Sequence, residues 1–185
     1  MCEHRQMTIR TRRERERLRQ SFRPPRIQLL FIGESPPASG RFFYSANSGL
    51  YRAMRMVFQI VDSKVDDENF LTAFRARGCY LTDLSHEPVD RLDPVLRRAM
   101  RSDGEKFLAR EITRLQPGII APVLRSIVRN VENAAARANW QGEILQFPYP
   151  GRWSRYREAF IKALVPVIRR LRVEEGSALS PPKSR

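Results

Sequence analysis

The sequence predicts an α/β protein: a three-layer α/β/α sandwich around a central four-stranded parallel sheet. Three observations carry that expectation. Short apolar runs with almost no polar alternation recur along the chain, as strands buried on both faces do. Segments with helical apolar spacing separate them, which is the order of repeated βα units. The 185 residues, 42% of them hydrophobic, suffice for one core and fall short of two ordinary domains.

Taken in order, residues 1–25 form a basic N-terminal helix or arm. Within RTRRERERLRQ, Arg12 with Glu16 and Glu16 with Arg19 stand at helical pairing distances, and Pro24 and Pro25 end the segment. No apolar face ties this helix to a core, so a solvated helix is expected. Residues 26–172 form the folded domain. Ile27 to Ile32 is its first strand, ended by Gly33, with Pro36 and Pro37 forbidding any continuation of the ladder. Phe42, Phe43 and Tyr44 then lie in a loop, and Leu50, Met54, Val57 and Phe58 mark a helix.

Asp66 or Asp67 is expected to cap a short helix that Gly78 ends. Cys79 to Leu84 is the second strand, turned away by SHEP. Residues 93–115 read as a long helix with Leu96, Met100, Phe107, Leu108, Ile112 and Leu115 as its apolar stripe, interrupted near Gly104. The third strand spans Gly118 to Pro122 and runs directly into a helix from Pro122 to Ala138. Trp140 to Phe147 is the fourth strand, and a terminal helix carries Phe160, Ile161, Leu164, Val167, Ile168 and Leu171. Residues 173–185 have the composition of a flexible tail.

In open parallel sheets, ligands bind in the crevice at the carboxyl ends of the strands. Glu34 stands just past that end of the first strand, and Asp83 and His86 should reach the same edge from the second. A carboxylate, aromatics and a second polar strand end in one place define a candidate site. The plainer alternative leaves the prolines as strand breakers and tucks the phenylalanines into the core.

The charge balance points to a polyanionic partner. Thirty-four Lys+Arg against 20 Asp+Glu give +14, and since Lys64, Lys106, Lys162 and Lys183 are the lysines, arginine supplies most of the excess. Its planar fork suits phosphate oxygens, so nucleic acid is the natural partner, and the N-terminal arm would touch its backbone. Solvated basic faces without a ligand are the alternative. Cys2 and Cys79 are the cysteines, too few for a disulfide framework, a four-cysteine zinc site or an iron-sulfur cluster within one chain. No metal or other cofactor is expected, nor any membrane span, and the expected location is the cytoplasm, in association with the nucleoid.

Three segments carry a resemblance. GESPP followed by Gly40, Phe42 and Phe43 resembles the first motif of the uracil-DNA glycosylase superfamily, closest to the branch with Gly-Glu-x-Pro-Gly at the water-activating position. CYLTDLSHEP, Cys79 to Pro88, resembles the second strand, whose end reads the base. FPYPGRWSRYR, Phe147 to Arg157, resembles the histidine-proline-serine-proline loop that enters the minor groove. Their order and spacing cover roughly residues 26–172.

The resemblance implies a monomeric, metal-independent, monofunctional DNA glycosylase of base excision repair. It would flip a base from single- or double-stranded DNA and hydrolyse its N-glycosidic bond, leaving an abasic site. Glu34 would orient water and stabilise a cationic sugar. Gly33, Ser35, Phe42, Phe43 and Asp83 would bind the base, with Phe43 stacking on it and Phe42 the fallback. Pro148, Tyr149, Pro150, Arg152, Trp153 and Arg155 would engage DNA, the arginines at phosphates and Trp153 or Tyr149 as a wedge.

Two departures qualify that picture. Asp83 stands where uracil-specific members present an asparagine, and an ionised carboxylate accepts hydrogen bonds without donating any. Relaxed base choice among uracil, hypoxanthine and xanthine follows, unless Asp83 simply caps a turn. Phe147 occupies the place of the leaving-group histidine, so another donor would be needed: His86, a backbone N–H or Tyr149. A catalytically weak or inactive DNA-binding relative is the leading alternative. A small-molecule hydrolase on a similar sheet is disfavoured by the lack of a glycine-rich phosphate loop.

Overall fold

A computed structural model describes residues 11–150 and 154–173. Four strands, β1 (Leu29–Gly33), β2 (Cys79–Asp83), β3 (Ile119–Pro122) and β4 (Glu143–Ile144), form one parallel sheet in the order β2-β1-β3-β4. Every residue of β1 and β2 is buried, which is why neither strand shows polar alternation. The register sets Gly33 opposite Asp83, so both strands end at one level.

Among the described residues, six helices cover the sheet: α1 (Arg12–Ser21), α2 (Gly49–Val61), α3 (Phe70–Ala76), α4 (Pro94–Leu115), α5 (Val128–Arg137) and α6 (Ser154–Arg170). Helix α2 packs against α6 and α4 against α5, completing the three layers. The starts of α1, α2 and α4 follow capping chemistry. Thr11 and Glu14 form a reciprocal capping box on α1, Ser48 accepts from Tyr51 N–H on α2, and Asp93 caps α4 ahead of Pro94. Gly78, at φ +64°, ends α3 as expected. Asp66 caps the turn before α3 by accepting from Glu68 and Asn69 N–H, whereas Asp67 is bound to Tyr51 and Arg55.

Several expectations are corrected. Helix α4 runs unbroken through Gly104, because a Cβ there would lie 2.2 Å from the Leu84 carbonyl oxygen. Glycine serves close packing, and the helix does not break. The first turns of α4 overhang the sheet, leaving Leu96 at 54% exposure in place of the expected buried stripe. The fourth strand shrinks to two residues, since Trp140 turns aside to donate its indole N–H to the Pro117 carbonyl at 2.8 Å. The chain bends at Val123 and Leu124 after β3 and then makes a short 3-10 turn, Arg125–Ile127, so α5 begins at Val128 and not at Pro122.

Helix α1 is the largest revision. It is not a solvated rod: Arg15 and Arg19 are buried, and Leu18 and Phe22 pack on the core. The expected tail beyond Val173, and the loop residues Arg152 and Trp153, lie outside the described residues.

The Gly104 contact is testable. Alanine in a helix interior ordinarily gains about 1 kcal/mol over glycine. Gly104→Ala is expected to lose stability instead, by roughly 1–3 kcal/mol of overpacking strain, read from urea unfolding midpoints. A stabilised variant would mean that helix and strand end are free to separate.

Candidate active site

The carboxyl edge of the sheet opens into a cavity of about 520 Å³, within the range of roughly 300–1,000 Å³ usual for small-ligand sites. Strand β1 delivers Gly33, Glu34 and Ser35 to it, β2 delivers Asp83, and the loop after β1 delivers Phe42 and Phe43. Tyr149, 45% exposed, lines it from the loop after β4, and α4 contributes Arg97. The candidate residues of strands β1 and β2 therefore do meet, through a register that the sequence does not state.

Glu34 is 6% exposed and gripped by two guanidinium groups. Arg97 engages both carboxylate oxygens, with Nε 2.7 Å from Oε1 and Nη2 on Oε2. Arg101 adds Nε at 2.6 Å to Oε1 and is steadied by longer contacts to Ser126. Burial alone would raise the Glu34 carboxyl, but the hydrogen bonds from Arg97 and Arg101 outweigh it and hold the group below its usual value. Glu34 is thus a permanent anion at neutral pH.

Asp83 is compensated from the opposite side. Its Oδ2 accepts from Arg19 Nη2 at 2.5 Å, and both side chains are almost fully buried. A Cβ on Gly33 would stand 2.3 Å from Asp83 Oδ1, so glycine leaves room for this carboxylate. Burial pushes the Asp83 carboxyl up, while the Arg19 and Arg15 charges oppose the rise. The Arg19 guanidinium also lies over the Phe42 ring at 5.5 Å, joining α1 to the aromatic loop.

The aromatic loop is rigidly seated. Phe42 N–H donates to Asn47 Oδ1 at 2.7 Å, and a 3-10 turn, Phe43–Ser45, follows. Phe43 packs against Tyr44, Tyr51, Phe70 and Phe74, with ring centroids 5.1 to 6.1 Å away. The Tyr44 hydroxyl donates to the Leu81 carbonyl and accepts from the Leu81 N–H, pinning the loop to β2. Ser35 Oγ accepts from Val89 N–H at 3.2 Å and braces the loop after β2.

Other candidates lie elsewhere. His86 does not line the cavity, contrary to expectation. Its ring sits edge-on to Phe107 at 3.9 Å, its carbonyl accepts from Arg15, and Nε2 is buried without a partner. Burial, with Arg12 and Arg19 nearby, lowers its pKa and keeps the imidazole neutral. Phe147 is buried against Phe160, 6.4 Å between centroids, and is likewise absent from the cavity. Pro150 is buried and Pro148 half-buried. Arg155 is exposed and stacks on Tyr156 at 4.8 Å.

Arg19, Arg97 and Arg101 are the residues that sequence reading missed. Arg97 and Arg101 left a signal, since an i,i+4 pair shares one helix face. Arg19 left none, because 64 positions separate it from Asp83. Among the described residues, no group of three or more His, Cys, Asp or Glu could hold a metal ion, and no helix is long and apolar enough to cross a membrane.

The sequence profile of the uracil DNA glycosylase superfamily matches residues 20–172. With the fold and the cavity, this match means that the chain belongs to the uracil DNA glycosylase superfamily. Membership supports a DNA glycosylase type of function, with DNA as the substrate. No curated protein matches the sequence.

The two clamps make separate predictions. Arg19→Ala strands a buried carboxylate and is expected to cost about 3–5 kcal/mol, much of it recovered in the double variant Arg19→Ala/Asp83→Asn. Urea unfolding of the single and double variants measures the coupling; simple additivity would deny it. Glu34, with its folded pKa depressed, contributes stability above the unfolded carboxylate pKa of about 4.3 and loses it as pH falls through the folded value. The stability of wild type relative to Glu34→Gln should therefore hold from pH 7 to about pH 5 and decline below it, with a pH-independent difference as the contrary result.

Proposed function

We propose that this protein is a DNA repair glycosylase that flips uracil, and other deaminated bases, into the Glu34 cavity and hydrolyses the N-glycosidic bond. One observation carries the reading above all: the motif carboxylate Glu34 lies in the same cavity as Phe42, Phe43 and Asp83. The flipped base stacks on the aromatic loop, and its Watson–Crick edge meets Asp83. Glu34, always ionised, stabilises positive charge on the sugar and orients the attacking water. Tyr149, at the cavity rim, fills the gap left in the duplex, and Arg155 meets backbone phosphate.

Asp83, paired with Arg19, offers acceptors and no donor. Base choice is therefore broad, favouring edges that present N–H groups. The protein acts as a monomer in the cytoplasm, where DNA is. A second reading, a DNA-binding relative without turnover, is favoured by the double arginine clamp, which occupies much of the Glu34 carboxylate. One experiment separates the two. Purified protein is incubated with single-stranded oligonucleotides carrying uracil, hypoxanthine or xanthine, and abasic sites are cleaved with alkali. Wild type should excise at least one base, and Glu34→Gln should keep DNA affinity while losing about two orders of magnitude or more in single-turnover rate. Equal rates would remove Glu34 from the chemistry, and binding without excision would favour the second reading.

A further inference from the structure

The reaction needs a group that accepts the charge of the departing base; the resemblance puts Phe147 in the place of the family's leaving-group histidine, and Phe147 is buried outside the cavity. His86 is outside it as well. We infer that Arg97 is the leaving-group electrophile: its guanidinium, fixed beside Glu34, donates hydrogen bonds to the base as the glycosidic bond breaks. The inference rests on the glycosylase reading above and assigns a catalytic residue within the same site.

Geometry singles out Arg97. Of the two arginines on Glu34, Arg97 lines the cavity and Arg101 does not. Arg97 spends Nε and one Nη2 hydrogen on Glu34, leaving the two Nη1 hydrogens and the second Nη2 hydrogen without a protein partner among the described residues. Its side chain is 34% exposed, whereas Arg101, at 19%, also turns toward Ser126. Arg41 and Arg52 line the cavity too, but neither is paired with Glu34. Because Glu34 works at the sugar C1' and the base is bonded to that carbon, a cation held by Glu34 stands where the base acquires charge. A preorganised donor at such a point is worth roughly 10²–10³ in rate.

The step balances without any other reagent. The C1'–N bond breaks, and its electron pair leaves with the base, delocalised onto the carbonyl oxygen that Arg97 N–H groups approach. A water oxygen bonds C1', its proton departs through the Glu34 carboxylate, and solvent protonates the released base anion. Arginine stays protonated throughout, so it acts as a hydrogen-bond donor and fixed cation and not as a general acid.

Leaving-group dependence distinguishes this role from mere positioning of Glu34. Single-turnover excision is measured on single-stranded DNA carrying uracil or 5-fluorouracil, whose departing anion is the more stable. Arg97→Gln is expected to slow uracil release about 100-fold and 5-fluorouracil release about tenfold or less, since the better leaving group needs less help. Arg101→Gln, which loosens Glu34 alone, should slow both by one factor. Arg97→Lys keeps the charge without the fork and should recover part of the uracil rate; this variant also serves if the glutamine variant folds poorly. Equal losses on the two bases in Arg97→Gln would overturn the inference while leaving the glycosylase reading intact. Wild-type protein that excises neither base would overturn the inference, and the glycosylase reading would fall with it only if hypoxanthine and xanthine also stay in place.

Discussion

Two buried carboxylates at neighbouring strand ends set the terms for the rest of this structure. Glu34 and Asp83 sit at the carboxyl edge of a sheet in which every residue of β1 and β2 is buried. An uncompensated charge there would cost several kcal/mol, so each carboxylate requires a cation fixed in place. Helix α1 supplies Arg19 to one, and the overhanging start of α4 supplies Arg97 and Arg101 to the other. The placement of both helices follows from that demand as much as from apolar contact. It accounts for a highly charged helix lying on the core and for a long helix whose first turns leave apolar side chains exposed.

The clamps also separate the chemistry of two similar groups. Glu34 keeps partners that hold it ionised on the cavity side, where Arg97 also lines the cavity. Asp83 also lines the cavity, packed against Gly33 and paired through Oδ2 with Arg19. Two similar carboxylates are thereby shifted in opposite directions by environment alone, Glu34 held down by its arginines and Asp83 pushed up by burial. Between them the aromatic loop is held by neighbouring rings and the two-way Tyr44 bond to Leu81, with Phe42, Phe43 and Tyr44 buried in the core.

The arginine excess takes on a second meaning in this light. A formal charge of +14 suggests a protein covered in phosphate-binding side chains. Yet Arg15, Arg19, Arg97 and Arg101 are engaged within the protein, as counter-ions and anchors of its acidic edge. Arginine serves inside because its fork binds a carboxylate at two points and it does not deprotonate on burial.

The sequence by itself determined the layered parallel architecture, the position of Glu34 past the first strand and the aromatic loop behind it. Non-alternating apolar runs, glycine and proline punctuation and helical periodicity are local signals that survive without tertiary context. It also determined that no histidine follows β4 at Phe147. Only the tertiary structure decided which polar groups face one another. The contacts of Arg19 with Asp83 and of Arg97 with Glu34 span 64 and 63 positions. Such pairings leave no periodic trace, because they arise where strand register and helix packing bring distant ends together. The same reason governs Gly104 and His86. A glycine in a helix reads as a break until the Leu84 carbonyl is seen to need the space, and a histidine after a strand reads as a site residue until the turn carries its ring to Phe107.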